Sequence, residues 1–340
     1  MPDSGTQPDI EKERGGVAAI DLSPVLAGRP GAAAEAGRAI DRACRETGFL
    51  TIVGHGVPQA LILETRRQAN AFFDLPAAEK GLVARAAPAF NRGWGAVGGE
   101  SLGKTLGAAV PPDYKEYLSI GPVDTDDDPY FHRPEAFPHF AANRWPDAPA
   151  GLRPAFTDYF RAMERLAADL MGLFAVALDL SPGFFADKID RQCGSLRVIN
   201  YPAQTDGPED GQLRAGAHTD YGSLTILHTE DRPGGLQVRR TDGSWIDVRP
   251  TPDSFVVNIG DLMAMWTNDR WVSTLHRVGN PPRADAAASR RLSLVFFHQP
   301  NYDALIECLP SCLAPGATPR HPPITSGAHR LLKLNKANDY

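Results

Sequence analysis

Two histidines and one aspartate constrain the fold of this 340-residue chain more than any other feature. His218-Thr219-Asp220 places two potential metal ligands two residues apart, and His276 follows 56 residues after Asp220. Two imidazoles and one carboxylate are the smallest protein ligand set for a non-haem ferrous site, because they occupy one face of an octahedral ion and leave the other face open. If these side chains bind one ion, the fold must bring distant segments together.

The sequence around His218, residues 215–227, is typical of extended structure. In a strand, residues i and i+2 point to the same side, so we predict that His218 and Asp220 face together. Alone, a His-x-Asp pattern more often marks a surface histidine beside an aspartate in a turn. Its interpretation as a metal site therefore depends on the rest of the chain.

From Ser195 onward, short apolar segments alternate with turn signals rich in Pro, Gly, Asn and Asp. The predicted strands are Leu196–Tyr201, Ala215–Thr219, Gly222–His228, Leu236–Arg240, Trp245–Val248, Ser254–Ile259, Met263–Trp266, Val272–Gly279 and Leu292–His298. Strands at such short spacing predict a sandwich or barrel. A double-stranded β-helix, or jelly roll, would bring His218, Asp220 and His276 to one mouth.

Helices are predicted upstream of these strands, at residues 31–47, 59–75 and 153–180. The third helix carries apolar residues at three- and four-residue steps, which indicates one buried face. We therefore predict a mixed α+β fold that is mainly β, with a double-stranded β-helix (jelly roll) core backed by helices. His132 and His139 fall in a segment rich in Pro and Asp, and we interpret them as solvated loop residues.

A second cluster of interest follows His276. Strand alternation places Arg291, Ser293, Val295 and Phe297 on one side. The planar fork of an arginine matches a carboxylate, and Ser293 would add a hydroxyl two residues on. A buried arginine needs an anionic partner, which a dicarboxylate cosubstrate would supply. The alternative is an arginine at a strand edge that pairs with a surface acid.

Composition excludes several classes of partner. The 35 basic and 41 acidic residues give a net charge of −6 without a basic cluster, so no nucleic-acid partner is expected. No apolar run approaches the roughly 20 residues that span a membrane, so no membrane partner is expected. Four cysteines without CxxC spacing are typical of reduced thiols. We predict a cytoplasmic protein that is a monomer or weak homodimer.

These motifs together resemble the iron(II)/2-oxoglutarate-dependent dioxygenases of the isopenicillin N synthase-like family. The resemblance is carried by the His218-x-Asp220 pair with His276 and by Arg291-x-Ser293. It extends over roughly residues 17 to 335. Further matching segments are Leu196–Pro202, Val257–Asp261, Ile20–Leu22 and Glu46–Pro58.

The resemblance implies an Fe(II)- and 2-oxoglutarate-dependent oxygenase that uses O2, oxidises a small-molecule substrate and releases succinate and CO2. Hydroxylation is the default outcome, with desaturation and ring closure as alternatives. Fe(II) would bind His218, Asp220 and His276. Arg291 and Ser293 would bind the distal carboxylate of 2-oxoglutarate. Tyr201 would contact 2-oxoglutarate as well, and Phe297 would line the substrate pocket.

The same resemblance suggests a division of the chain into five segments. Residues 1–16 would form a disordered tail, 17–135 an N-terminal dioxygenase segment packed on the core, and 136–192 a helical segment. Residues 193–302 would form the Fe(II)/2-oxoglutarate jelly-roll core, and 303–340 a C-terminal segment that closes over the pocket.

Three other functions remain open from the sequence. The first is an isopenicillin N synthase-like oxidase that does not use 2-oxoglutarate, because Arg291-x-Ser293 does not decide between the two. The second is a zinc hydrolase, since the same ligands suit zinc. The third is a non-catalytic jelly-roll binding protein. His228, His298, His321 and His329 are alternative metal candidates, but none lies in a His-x-Asp frame.

Overall fold

The computed structural model of the protein describes residues 11–338, except 15, 16, 87–89, 108, 109 and 206. The strands are β1 (Glu11–Arg14), β2 (Val17–Asp21), β3 (Phe49–Val53), β4 (Gly93–Gly95), β5 (Glu116–Ile120), β6 (Ser195–Tyr201), β7 (Ala215–His218), β8 (Leu224–Thr229), β9 (Leu236–Arg239), β10 (Trp245–Asp247), β11 (Phe255–Ile259), β12 (His276–Val278), β13 (Arg291–His298), β14 (Leu305–Ile306) and β15 (Ile324–Thr325). The α-helices are α1 (Ser23–Leu26), α2 (Ala32–Glu46), α3 (Gln59–Phe73), α4 (Ala77–Gly81), α5 (Leu152–Ala177), α6 (Ala186–Ile189), α7 (Asp261–Trp266) and α8 (Ser326–Asn338). Short 3-10 helices cover Leu102–Leu106, Pro129–His132, Pro134–Ala136, Arg283–Ala288 and Pro310–Cys312.

Two sheets form the core. The larger sheet has the strand order β1-β2-β3-β11-β8-β13-β6-β5-β4, and the smaller has the order β10-β9-β12-β7. Apolar side chains from both sheets meet between them, including Ile199 and Val295 of the larger sheet and Ala215 and Val278 at the smaller one. Neighbours such as β8 and β11, or β7 and β12, are far apart in the sequence, so the fold brings distant segments to one end.

A helical layer covers the other face of the larger sheet. Helix α5 packs against α2, α3 and β13. Its apolar stripe is fully buried, with the Phe160 ring 5.2 Å from the Phe296 ring of β13 and the Phe174 ring 5.2 Å from that of Trp271. This burial removes water from the outer face of the central strands and leaves the inner face between the sheets for a site.

The predicted fold class is confirmed, as are the three predicted helices. The prediction of a strand at Met263–Trp266 is wrong, because these residues belong to helix α7. Gly260, which precedes this helix, allows a close approach of two segments, because a side chain there would collide with the backbone of Gly222. His139 is also buried, with 1% of its surface exposed, rather than solvated.

At the N-terminus, residues 1–10, 15 and 16 of the predicted tail lie outside the described residues. Glu11–Arg14 within it form β1, an edge strand antiparallel to β2. No helix among the described residues is both long and apolar enough to cross a membrane.

The packing of α5 on β13 should contribute to the stability of the fold. Phe160→Ala should lower the free energy of unfolding by about 3–5 kcal/mol, because it leaves a cavity against Phe296. Leu63→Ala on α3 is the matched control, since 55% of that side chain is exposed, and its loss should be far smaller. Chemical denaturation measures both. Equal losses in the two variants would contradict the packing described.

Candidate metal and 2-oxoglutarate site

The three predicted metal ligands converge at one end of the smaller sheet. His218 is the last residue of β7 and His276 the first of β12, and the two are paired across the antiparallel ladder. The Nε2 atoms of His218 and His276 lie 3.8 Å and 3.7 Å from Oδ1 of Asp220. Asp220 lies two residues beyond the end of β7, and its carboxylate faces the two histidines. His218 and Asp220 face together, as predicted, although Asp220 lies beyond the strand itself.

Backbone carbonyls fix the orientation of both imidazoles. The His218 Nδ1 atom is 2.8 Å from the carbonyl oxygen of Gly216, and the His276 Nδ1 atom is 3.1 Å from that of Thr274. A carbonyl only accepts, so each Nδ1 carries the proton and donates it. Each Nε2 therefore presents a lone pair toward Asp220, which is the tautomer that a metal ligand requires.

Asp220 is oriented by the larger sheet. Its Oδ2 accepts hydrogen bonds from Thr225 Oγ1 of β8 at 2.6 Å and from Asn258 Nδ2 of β11 at 2.7 Å. These bonds leave Oδ1 directed at the two imidazoles. The site is thus assembled from both sheets, with the histidines on one and the supports of the carboxylate on the other.

The electrostatic environment favours the protonation states that a divalent cation needs. Burial, and then the neighbouring His276 ring, lowers the pKa of His218 to about 3, so its imidazole is neutral. Burial alone would raise the pKa of Asp220. The two imidazoles and the hydrogen bonds from Asn258 and Thr225 outweigh burial and hold that pKa below its usual value. Two imidazole nitrogens and one carboxylate oxygen around a single point fit a ferrous ion.

Arg291 provides the second half of the site. It is 3% exposed, and its guanidinium donates to the carbonyl oxygens of Gly234 and Glu230 and to Thr229 Oγ1, at 2.7, 3.1 and 2.6 Å. Its Nε is buried without a hydrogen-bond partner, and Arg291 forms no ion pair within the described part of the chain. Burial lowers the pKa of Arg291. A buried cation with neutral acceptors alone fits an anionic ligand.

Two neighbours extend this cationic end. The hydroxyl of Ser293 is 2.9 Å from that of Thr229, so Ser293, Thr229 and Arg291 form one connected group. Arg214, fully buried, donates to the carbonyl oxygen and the hydroxyl of Ser289. Burial and then the charge of Arg291 lower the pKa of Arg214 to about 10. Two cations held this close favour a ligand with negative charge.

One cavity joins the two halves. It is lined by the three candidate metal ligands and by Arg291, Ser293, Tyr201 and Phe297, so all seven predicted site residues border the same space. The four alternative histidines do not join them: among the described residues, the only group of histidine, cysteine and acidic side chains close enough to hold a metal is His218, Asp220 and His276.

Sequence reasoning gave no role to several residues that support the site. Asn258 was recognisable as the one polar residue within the buried apolar strand β11, which is a signal for a buried hydrogen bond. Thr225 shares β8 with two other polar residues, His228 and Thr229, so its role did not stand out. Thr229 and Arg214 gave no such signal, because their roles depend on contacts with segments distant in the sequence.

Comparisons with known proteins agree with this geometry. The family model described as the 2OG-Fe(II) oxygenase superfamily matches residues 193–300, and the model described as non-haem dioxygenase in morphine synthesis N-terminal matches residues 17–148. The chain is 34% identical over 312 residues to a 2-oxoglutarate-Fe(II) type oxidoreductase of Emericella nidulans, covering 90% of this chain and 86% of that protein.

Two further relatives are informative. A homoarginine-6-hydroxylase of Oryza sativa is 33% identical over 303 residues, which is 87% of each protein. The crystal structure of a full-length Neurospora crassa protein in complex with alpha-KG superposes with a TM-score of 0.82 at 29% identity, covering 96% of this chain and 99% of that one.

The chain therefore belongs to the 2OG-Fe(II) oxygenase superfamily, and the resemblance to the isopenicillin N synthase-like group is confirmed. It is a 2-oxoglutarate/Fe(II)-dependent oxidoreductase that uses O2 to oxidise a small molecule.

The support of Asp220 generates a prediction about metal affinity. Thr225→Val keeps the side-chain shape but removes the hydrogen bond to Oδ2, so Mn(II) binding should weaken by roughly tenfold. Thr225→Ser retains a hydroxyl and should bind Mn(II) nearly as the wild type does. Calorimetric titration measures both affinities. Unchanged Mn(II) binding by Thr225→Val would show that this contact does not orient the carboxylate.

Proposed function

We propose that His218, Asp220 and His276 bind the ferrous ion of this oxygenase, and that Arg291 and Ser293 bind the distal carboxylate of 2-oxoglutarate. The observation that carries the proposal is the single cavity in which two Nε2 atoms, one carboxylate oxygen and one buried guanidinium without an acidic partner among the described residues meet. When bound, iron with 2-oxoglutarate and O2 supplies the oxidant, and 2-oxoglutarate leaves as succinate and CO2.

The chain orients the candidate metal ligands and excludes water from the pocket. The carbonyls of Gly216 and Thr274 hold the imidazoles so that their Nε2 atoms converge. Tyr201, which is 3% exposed and pairs with Arg291 across the β6–β13 ladder, would border the cosubstrate. Apolar walls from Leu227, Val295 and Phe297 exclude water from the inner face between the sheets.

We further propose that the oxidation is a hydroxylation. The support is the homoarginine-6-hydroxylase of Oryza sativa, which aligns with 87% of this chain. Desaturation and ring closure use the same ligands and differ in how the substrate lies. A product with one added oxygen atom, detected by mass spectrometry with ¹⁸O2, would support hydroxylation, and a product two hydrogens lighter would contradict it.

We retain the prediction of a monomer or weak homodimer that acts on free small molecules rather than nucleic acid. The net charge of −6 without a basic cluster supports a small-molecule substrate rather than nucleic acid. Sedimentation velocity over a range of concentrations measures the oligomeric state, and a stable higher oligomer would contradict this prediction.

The metal assignment is tested by His276→Ala. This variant should lose Mn(II) binding and succinate production, because only two ligands remain. His321→Ala is the matched control, since His321 pairs with Asp269 away from the cavity and should leave both properties unchanged. Metal titration and succinate release are the measurements. Retained metal binding by His276→Ala would refute the assignment, and substrate oxidation by the wild type without succinate would favour the alternative oxidase.

The cosubstrate assignment is tested by Arg291→Gln. It should raise the Kd for 2-oxoglutarate at least roughly tenfold, because a charged hydrogen-bonding partner of the distal carboxylate is lost. Arg290→Gln, the preceding residue, is the control: Arg290 pairs with Asp74 at the surface and should not affect 2-oxoglutarate binding. Equal affinities in the two variants would contradict the role given to Arg291.

A further inference from the structure

The active cavity has a second charged end, away from Arg291. The cavity is also lined by charged side chains that the predicted site did not include, among them Glu100, Lys115, Arg197 and Arg330. All four line the cavity that contains the candidate metal ligands, so they border the space open to a substrate beside the metal. Arg330 contacts Cys193, which precedes β6, whereas Arg291 pairs with Tyr201 at the other end of β6, so Arg330 lies at the end remote from Arg291.

The carboxylates near these cations already have basic partners. Oε2 of Glu100 is 3.0 Å from Lys115 Nζ, and Oε1 is 3.0 Å from Arg197 Nη1. Lys115 also pairs with Asp113 at 2.7 Å. Burial alone would raise the pKa of Glu100, but Arg197 and Lys115 outweigh it and hold that pKa far below its usual range. Glu100 and Asp113 are therefore paired with Lys115 and Arg197.

Of the three cations Lys115, Arg197 and Arg330, only the first two pair with these carboxylates. Arg330 projects from α8, is 6% exposed, and its Nη1 donates to the carbonyl oxygen of Cys193 at 3.2 Å. Nη1 also lies 3.2 Å from Nδ1 of His139, whose pKa burial and then Arg330 lower to about 3, so that ring is neutral. Within the described ranges, Arg330 has no acidic partner. Arg197, whose side chain is 11% exposed, pairs with Glu100.

The contrast between these two arginines indicates a missing anion. An arginine stays protonated in proteins, so Arg330 carries a full charge at neutral pH. A buried charge is costly unless it is paired, and two neutral acceptors on one nitrogen do not pair it. The metal end offers no surplus negative charge: a ferrous ion, Asp220, doubly negative 2-oxoglutarate and Arg291 sum to zero, and the buried Arg214 adds one more positive charge.

We propose that the substrate is a small molecule with an anionic group, a carboxylate or a phosphate, that pairs with Arg330 at the end of the cavity remote from Arg291. This inference rests on the proposed function, because it takes the space beside the metal as the substrate site. Arg330 thereby acts as a substrate-binding residue that selects anionic over neutral compounds, and helix α8 contributes it from the C-terminal segment.

The test uses full-length protein loaded with Mn(II) and saturating 2-oxoglutarate, so that probes cannot bind at Arg291. Benzoate, hexanoate and phenyl phosphate are titrated beside their neutral counterparts benzamide, hexanamide and phenol by calorimetry. At least one anionic probe should bind the wild type roughly tenfold or more tightly than its counterpart, as expected for a charge-assisted contact. A carboxylate preference and a phosphate preference identify which acid group the site takes.

Variants connect any preference to Arg330. Arg330→Gln should abolish the preference, and Arg330→Lys should retain part of it, because the charge persists without the planar fork. Arg320→Gln, an exposed arginine that pairs with Asp269, is the control and should keep the preference. Thermal unfolding of each variant reports whether α8 still packs; if Arg330→Gln unfolds, the wild-type titrations and Arg330→Lys decide.

Three results would overturn the proposal: neutral probes that bind the wild type as tightly as anionic ones, no binding of any anionic probe, or a folded Arg330→Gln variant that keeps the full preference. Failure of the proposed function is separately visible, because the wild type would then not bind Mn(II) or 2-oxoglutarate in the loading step.

Discussion

The antiparallel pairing of β7 with β12 is the constraint on which the site depends. It places His218 opposite His276 and brings their ring centroids to 4.3 Å. Because side chains alternate along a strand, a slip of one residue would turn one imidazole to the opposite face. The smaller sheet therefore fixes the two nitrogens. The larger sheet fixes the oxygen through Thr225 and Asn258, so the metal site depends on how the two sheets pack together.

Charge is distributed unevenly along the cavity, and this distribution indicates where anionic ligands bind. Acidic groups at the metal and at Glu100 have partners among the described residues, whereas the buried arginines at the two ends, Arg291 and Arg330, have neutral acceptors. Burying a cation without a counter-ion is unfavourable, so each of these positions is best explained by a ligand. We propose the dicarboxylate cosubstrate as the ligand of Arg291 and an anionic substrate as the ligand of Arg330.

Much of the fold and site could be predicted from the sequence because local patterns carry them. The regular spacing of short strands after Ser195 predicts the jelly roll, and the apolar stripe of α5 predicts its helix. Met263–Trp266 was assigned to the wrong element because a short apolar run does not distinguish a strand from a buried helix. His139 and Arg330 could not be paired from the sequence, since 191 residues separate them and only the packing of α8 brings them together.

We propose that one cavity holds a metal between both sheets and an anionic cosubstrate at Arg291. An anaerobic crystal structure with Mn(II) and 2-oxoglutarate, with anomalous diffraction from the metal, tests it most directly. The anomalous peak should lie between the Nε2 atoms of His218 and His276 and Oδ1 of Asp220, with a carboxylate of 2-oxoglutarate on the Arg291 guanidinium. A metal bound elsewhere, or 2-oxoglutarate bound without contact to Arg291, would contradict the account.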